Sequence, residues 1–211
     1  MRKIFIIIIT LLTSFGCVQS QTKLSSEEVL KKILQNVDSS QTMIVDLTIS
    51  IHVKEPKLDR SVKQLIKIKR NKYFIQDEET DVICDGVESY TIDKVNKEAK
   101  VILVIDEDPT DITPINMFTF FRNDYTSKSK GVKKDNQGRL IMTIELYPLN
   151  KAESRYSNIL LYADTEKFEI TKSIFTQPNG AILTYDISSI SKNVEINDSV
   201  FIFDKTKYPK H

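Results

Sequence analysis

Apolar and polar residues alternate along residues 43–53, where Val45, Leu47, Ile49, Ile51 and Val53 are separated by Asp46, Thr48, Ser50 and His52. A period of two over that length predicts a β-strand with one apolar face and one wet face. Similar short runs return at 62–70, 72–77, 80–84, 88–92 and 99–105, and again at 125–134, 140–148, 158–164, 169–177, 181–190 and 199–204. Asp85-Gly86, residues 136–138 and Pro178-Asn179-Gly180 supply turns between them. Two segments break the period. In 25–37, Val29, Leu30, Ile33, Leu34 and Val37 recur at spacings of three and four behind Ser25, Ser26, Glu27 and Glu28, which predicts a capped amphipathic helix. In 113–122, Thr113 is a natural N-cap and Pro114 suits the first helical position, which predicts a short second helix. There is no βαβ alternation. The expected fold is therefore mainly β (α+β): one strongly curved antiparallel sheet of about eleven strands, with helices packed on its concave side.

The second helix has an unusual composition. An acidic loop, DEDPTD (106–111), leads into Ile115, Met117, Phe118, Phe120 and Phe121. An element apolar nearly all round must be covered on several sides. It either plugs a core or closes a cavity, and Met and Phe suit the second role because they repack around variable ligands. Periodicity assigns inward positions to Leu47, Ile49 and Ile51 on the first strand, Ile66 and Ile68 on the second, and Phe74 on the third. Leu103 lies before the Met-Phe segment, and Met142, Ile144 and Leu146 lie after it. Each serves equally well as ordinary core or as cavity lining.

The chain of 211 residues, with 40% hydrophobic and 28% charged residues, suits one globular domain behind a targeting segment. Arg2 and Lys3 precede the apolar run 4–15, which falls short of the roughly 20 residues that span a bilayer. Residues 1–20 thus read as a signal peptide cleaved before Gln21, and 21–211 as the exported domain. A competing reading is lipidation at Cys17, which follows Gly16. Loss of Arg2 and Lys3 moves the net charge from +1 to −1, which excludes the electrostatic attraction that drives nucleic-acid binding. Cys84 reads as a small buried hydrophobe.

No catalytic site emerges. The two histidines, His52 and His211, stand far apart, so neither a catalytic triad nor a histidine metal site is expected. The five glycines form no phosphate loop, and the acidic run lacks the spaced ligands of a calcium loop. The expectation is a non-enzymatic protein without cofactor or metal.

Several stretches together resemble the outer-membrane lipoprotein carrier (LolA) family. EEVLKKILQNV followed by DLTISI looks like its first helix and strand, LIKIKRNKYFI like its strand-and-turn, and VICDGVESYTI like its S-D-G-K-x-x-W-x-Y turn. DITPINMFTFF sits where the family places a lid helix, and NDSVFIFDKTKYP resembles its closing segment. Asn71 and Tyr90 depart from the family's usual Pro and Trp. The resemblance implies a half-open barrel closed by helices, acting in the periplasm as a monomer. It would carry acylated lipoproteins in an apolar cavity from an inner-membrane lipoprotein-releasing ABC transporter to an outer-membrane acceptor. It implies that the apolar positions above, with Met117, Phe118 and Phe121, line or lid that cavity, and that Arg70 holds the lid closed. If Cys17 is acylated, the same fold implies an anchored outer-membrane acceptor; a lipoprotein-sensing envelope-stress protein is a further alternative.

Overall fold

The computed structural model describes residues 24–106, 111–150 and 154–208. The leader with Cys17, most of the acidic loop and His211 lie outside the described residues. One α-helix, α1 (Ser26–Asp38), precedes β1 (Thr42–Val53), β2 (Leu58–Lys69), β3 (Lys72–Gln76), β4 (Thr80–Cys84), β5 (Glu88–Asp93) and β6 (Glu98–Leu103). After a long connection come β7 (Tyr125–Lys134), β8 (Leu140–Pro148), β9 (Asn158–Asp164), β10 (Glu169–Thr176) and β11 (Ile182–Lys192).

The start of α1 is fixed by a reciprocal cap. The Glu28 amide donates to Ser25 Oγ at 3.1 Å, and the Ser25 amide donates to the Glu28 carboxylate at 2.8 Å. Its buried stripe of Val29, Leu30 and Ile33 joins the main core.

All eleven strands form one antiparallel sheet that does not close, in the order β6-β5-β4-β3-β2-β1-β11-β10-β9-β8-β7. Every pair of neighbouring strands is consecutive in sequence except β1 with β11, so two meanders join at the middle of the sheet. At the β4–β5 turn only glycine fits: Gly86 has φ +95°, and a Cβ there would run into the Asn71 side chain of the β2–β3 turn.

This topology dictates what the connection after β6 must do. β6 and β7 are opposite edges of the sheet, about 48 Å apart if ten strand spacings were laid flat. A connection of roughly 20 residues, reaching about 70 Å at full extension, has to cross one face to join them. It crosses the face covered by α1, and Met117, Phe118 and Phe121 drop into the same core cluster as Val29, Val45, Ile144 and Leu161. We call residues 111–124 the strap.

Two expected elements differ. The strap is a chain of turns, not a helix. Met117 and Phe120 donate to carbonyls four residues back, whereas the Thr119 and Arg122 amides donate only three residues back, to Asn116 and Thr119. At its start the Asn116 side chain accepts from the Thr113 amide at 2.8 Å and donates to the Asp111 carbonyl at 2.9 Å, closing the first turn as a cap does, but the amide bonds beyond it mix three- and four-residue steps and form no continuous ladder. Among the described residues α1 is the one α-helix, and it and the strap share a core cluster with the sheet. The expected final strand at 199–204 is a 3-10 helix, Asp198–Phe201, because Asn197 Oδ1 captures the Ser199 amide at 3.0 Å and bends the chain; Phe201 is buried instead of laddered.

Candidate functional site

The core beneath the strap is built from strand positions sharing one face. Leu47, Ile66, Ile68, Met142, Ile144 and Leu146 are buried together with Met117, Phe118 and Phe121, and Ile49 packs at the margin. Ile51 lies on the same face of β1 but is 38% exposed, since the covering layer does not extend that far toward the β1–β2 turn.

Phe74 and Leu103 are corrections. Phe74 stands opposite Lys67 and Ile83, whereas Ile66 and Ile68 stand opposite Ile75 and Tyr73, so the inward face of β3 carries Tyr73 and Ile75. Following the register from Tyr73 through Cys84 and Ser89 reaches Ile102, which leaves Leu103 on the opposite face and 45% exposed. Arg70 occupies the two-residue β2–β3 turn with φ 57° and is exposed. Among the described residues it makes no hydrogen bond to the strap; its charge, with that of Lys72, helps Lys69 hold the Asp198 carboxyl below its usual range.

An aromatic cluster under the strap was not read from the sequence. The Phe120 ring lies 5.4 Å from Phe121, 5.7 Å from Tyr125 and 5.4 Å from Phe175, and Phe175 lies 4.9 Å from Tyr156 and 5.6 Å from Tyr185. Such tilted and edge-on contacts add to the burial of each ring. Burial pushes the Tyr185 hydroxyl up to about 12, with the negative charge of Asp111 and ionised Tyr156 adding to it, and raises Tyr156 as well. The signal was hard to see because a register shift between Ile170 and Lys172 reverses the alternation of β10 before Phe175.

Among the described residues the apolar interior beneath the strap is closely packed. Two narrow apolar seams remain, and Phe118 borders both. One, among Ile112, Met117, Phe118, Phe175, Tyr185 and Ile187, has no room for a water. The other, among Ile33, Val37, Met43, Phe118, Phe168, Ile170 and Ile190, holds about 10 Å³, and Glu169 and Lys192, paired at 2.7 Å, also line it. A more polar cleft of about 330 Å³ opens beside the strap, between Asn116, Phe120, Tyr125, Leu149 and Tyr156, with the ion pair of Arg155 and Asp111 among its walls. His52, on the far side of the β1–β2 hairpin, pairs with Asp59. Among the described residues no cluster of three His, Cys, Asp or Glu side chains could hold a metal ion.

The strap is tied down by charge at both ends, through Arg155 to Asp111 and through Arg122 to Asp38 at the end of α1. Arg122 donates two hydrogen bonds to Asp38, at 3.0 and 2.6 Å, and these hold the Asp38 carboxyl below its ordinary value of 3.8. A depressed carboxylate stabilises the fold above its unfolded pKa, and that contribution disappears as pH falls through the folded value. The pair is half exposed, so Arg122→Ala is expected to lower global stability by only about 0.2–1 kcal/mol. The same change should markedly speed hydrogen exchange at the amides of Met117, Phe120 and Arg122. Unchanged exchange there would show that the pair does not restrain the strap.

No protein-family model matches the chain, and no curated protein matches it either. Solved structures do. An uncharacterized conserved protein from Thermus thermophilus is similar over 86% of this chain and 96% of its own, with 7% identity and a TM-score of 0.56. The Mycobacterium tuberculosis lipoprotein LppX aligns over 82% of this chain and all of its own, with 10% identity and a TM-score of 0.51. A LolA superfamily protein from Nitrosomonas europaea covers 86% of this chain and 99% of its own at 11% identity and a TM-score of 0.42. The fold is shared with the Thermus thermophilus protein and with LppX, and at these identities the likeness is one of fold alone. Among the described residues no helix is long and apolar enough to cross a membrane.

Proposed function

We propose that this chain binds the acyl chain of a lipid or lipoprotein under the strap. The observation that carries the reading is the position of Phe118 as the partition between two apolar seams. If the strap lifts, the space of Phe118 joins both seams into one apolar channel on the sheet. The strap is suited to lifting because a chain of turns has no continuous helical ladder to break. Each buried methylene of a fatty chain is worth about 0.8 kcal/mol, so a tail of roughly 15 methylenes supplies on the order of 12 kcal/mol to displace the strap's own side chains. The fuller form of the reading is a non-enzymatic periplasmic carrier that takes acylated lipoproteins from an inner-membrane ABC transporter to an outer-membrane acceptor. A second form is favoured by Gly16-Cys17: the same site on a chain anchored through an acylated Cys17.

Native mass spectrometry of the protein isolated from cells without detergent tests the reading. Adducts that fall into a series of acyl-chain masses are expected. A bare polypeptide mass, together with no uptake of a fluorescent long-chain fatty acid, would refute it. The same spectrum separates a chain beginning at Gln21, as a soluble carrier requires, from one beginning at acylated Cys17.

A further inference from the structure

We infer that β6 is a pairing edge, at which two copies of this chain join antiparallel about a two-fold axis at Val101. An open sheet has two edges, and this one treats them differently. The β7 edge is guarded by Lys128, Lys130, Lys133 and Lys134 and broken by a bulge between Ser129 and Gly131, both devices that block addition of a strand. The β6 edge has no bulge and a single lysine, Lys100. Its pairing with β5 is regular from Glu98 to Leu103, and Val101, Ile102 and Leu103 are 37%, 37% and 45% exposed. Among the described residues no strand covers it.

The backbone sets the register. The Val104 amide donates to the Val87 carbonyl at 2.9 Å, so by the alternation of an antiparallel ladder Ile102 and Lys100 turn their peptide groups toward β5. Ala99, Val101 and Leu103 then present theirs outward. A second β6 can bond only by setting outward residues opposite one another. Centring on Lys100 places two lysines face to face, which is unfavourable. Centring on Ile102 runs the pairing past Val104, where the chain leaves the strand as a 3-10 turn. Centring on Val101 keeps the pairing within the strand. Val101 then faces its own copy, Ala99 faces Leu103, and Lys100 faces Ile102. The guarded β7 edge prevents β6 of one copy from pairing with β7 of the next, so association closes at two copies rather than propagating as a filament.

Sedimentation velocity over a dilution series should show a monomer–dimer equilibrium. Val101→Pro removes an outward amide without touching the β5 ladder, a position where an edge strand tolerates proline. Val101→Lys sets like charges on the axis. Each is expected to weaken the dimer by at least about tenfold, with a thermal transition close to that of the parent. Val101→Cys should cross-link copies on mild oxidation, because directly opposed residues there lie about 5.5 Å apart between Cα atoms, within disulfide reach. Leu103→Cys, which faces Ala99, should not cross-link. A monomer at every concentration overturns the proposal, as does a dimer that survives both Pro and Lys at position 101.

Discussion

Phe118→Ala is expected to lower stability by about 3–5 kcal/mol and, in the same molecule, to open a site for a long-chain fatty acid. The first effect follows from removing a ring that is 3% exposed from the main core cluster. The second follows from where the ring stands, since its loss merges two apolar seams into one space. An apolar space of that kind stays dry and accepts an apolar guest. Urea unfolding with and without palmitate measures both. Ligand at a hundred times its dissociation constant should return about 2.7 kcal/mol. Leu161→Ala is the control: this core leucine, fully buried, borders neither seam, and its removal should weaken the fold by about 2–5 kcal/mol with no rescue by palmitate. Equal rescue of both variants, or of neither, would remove Phe118 from its proposed place at the acyl site.

The second large effect lies at alkaline pH. Burial raises the Tyr185 hydroxyl from an ordinary value of 10.0 to about 12. Because the folded value exceeds the unfolded one, the associated stability is complete below pH 10 and is lost as pH climbs through about 12. A shift of that size corresponds to about 2–3 kcal/mol. Tyr185→Phe keeps the ring beside Phe175 and should therefore flatten the alkaline decline while changing little at neutral pH. Absorbance titration of the phenolate also reports on the strap. In Phe118→Ala, whose new space stays dry, Tyr185 should still ionise at about 12. A titration moved toward 10 would show that water enters the space left by Phe118.

The sheet could be read from the chain because its strands alternate cleanly and its turns carry Asp-Gly and Asn-Gly pairs. α1 could be read because its capping serine and apolar stripe agree. What escaped was set by tertiary geometry. Period alone assigns Phe74 and Leu103 inward, yet the register carried from β2 through β6 puts both on the far face. The strap has a helical start signal and a cap-like Asn116, but its amide bonds beyond the first turn mix three- and four-residue steps. Phe175 was hidden behind a bulge in its own strand. How closely the apolar side chains meet could not be read at all, because alternation gives a side chain's direction and not the distance to what it meets.

The junction at the centre of the sheet governs how the molecule assembles. Every neighbouring pair except β1 with β11 is a local hairpin or meander step or, at β3–β4 and β5–β6, a tight turn, whereas Met43 finds Lys192 and His52 finds Ile182 across most of the chain. Two independently nucleating half-sheets, each rich in short-range contacts, must therefore meet in one late, entropically demanding closure. Until that closure the greasy inner faces of both halves stand open to water. A nascent chain in that condition is most exposed to misassociation while its first half waits for β11 to emerge.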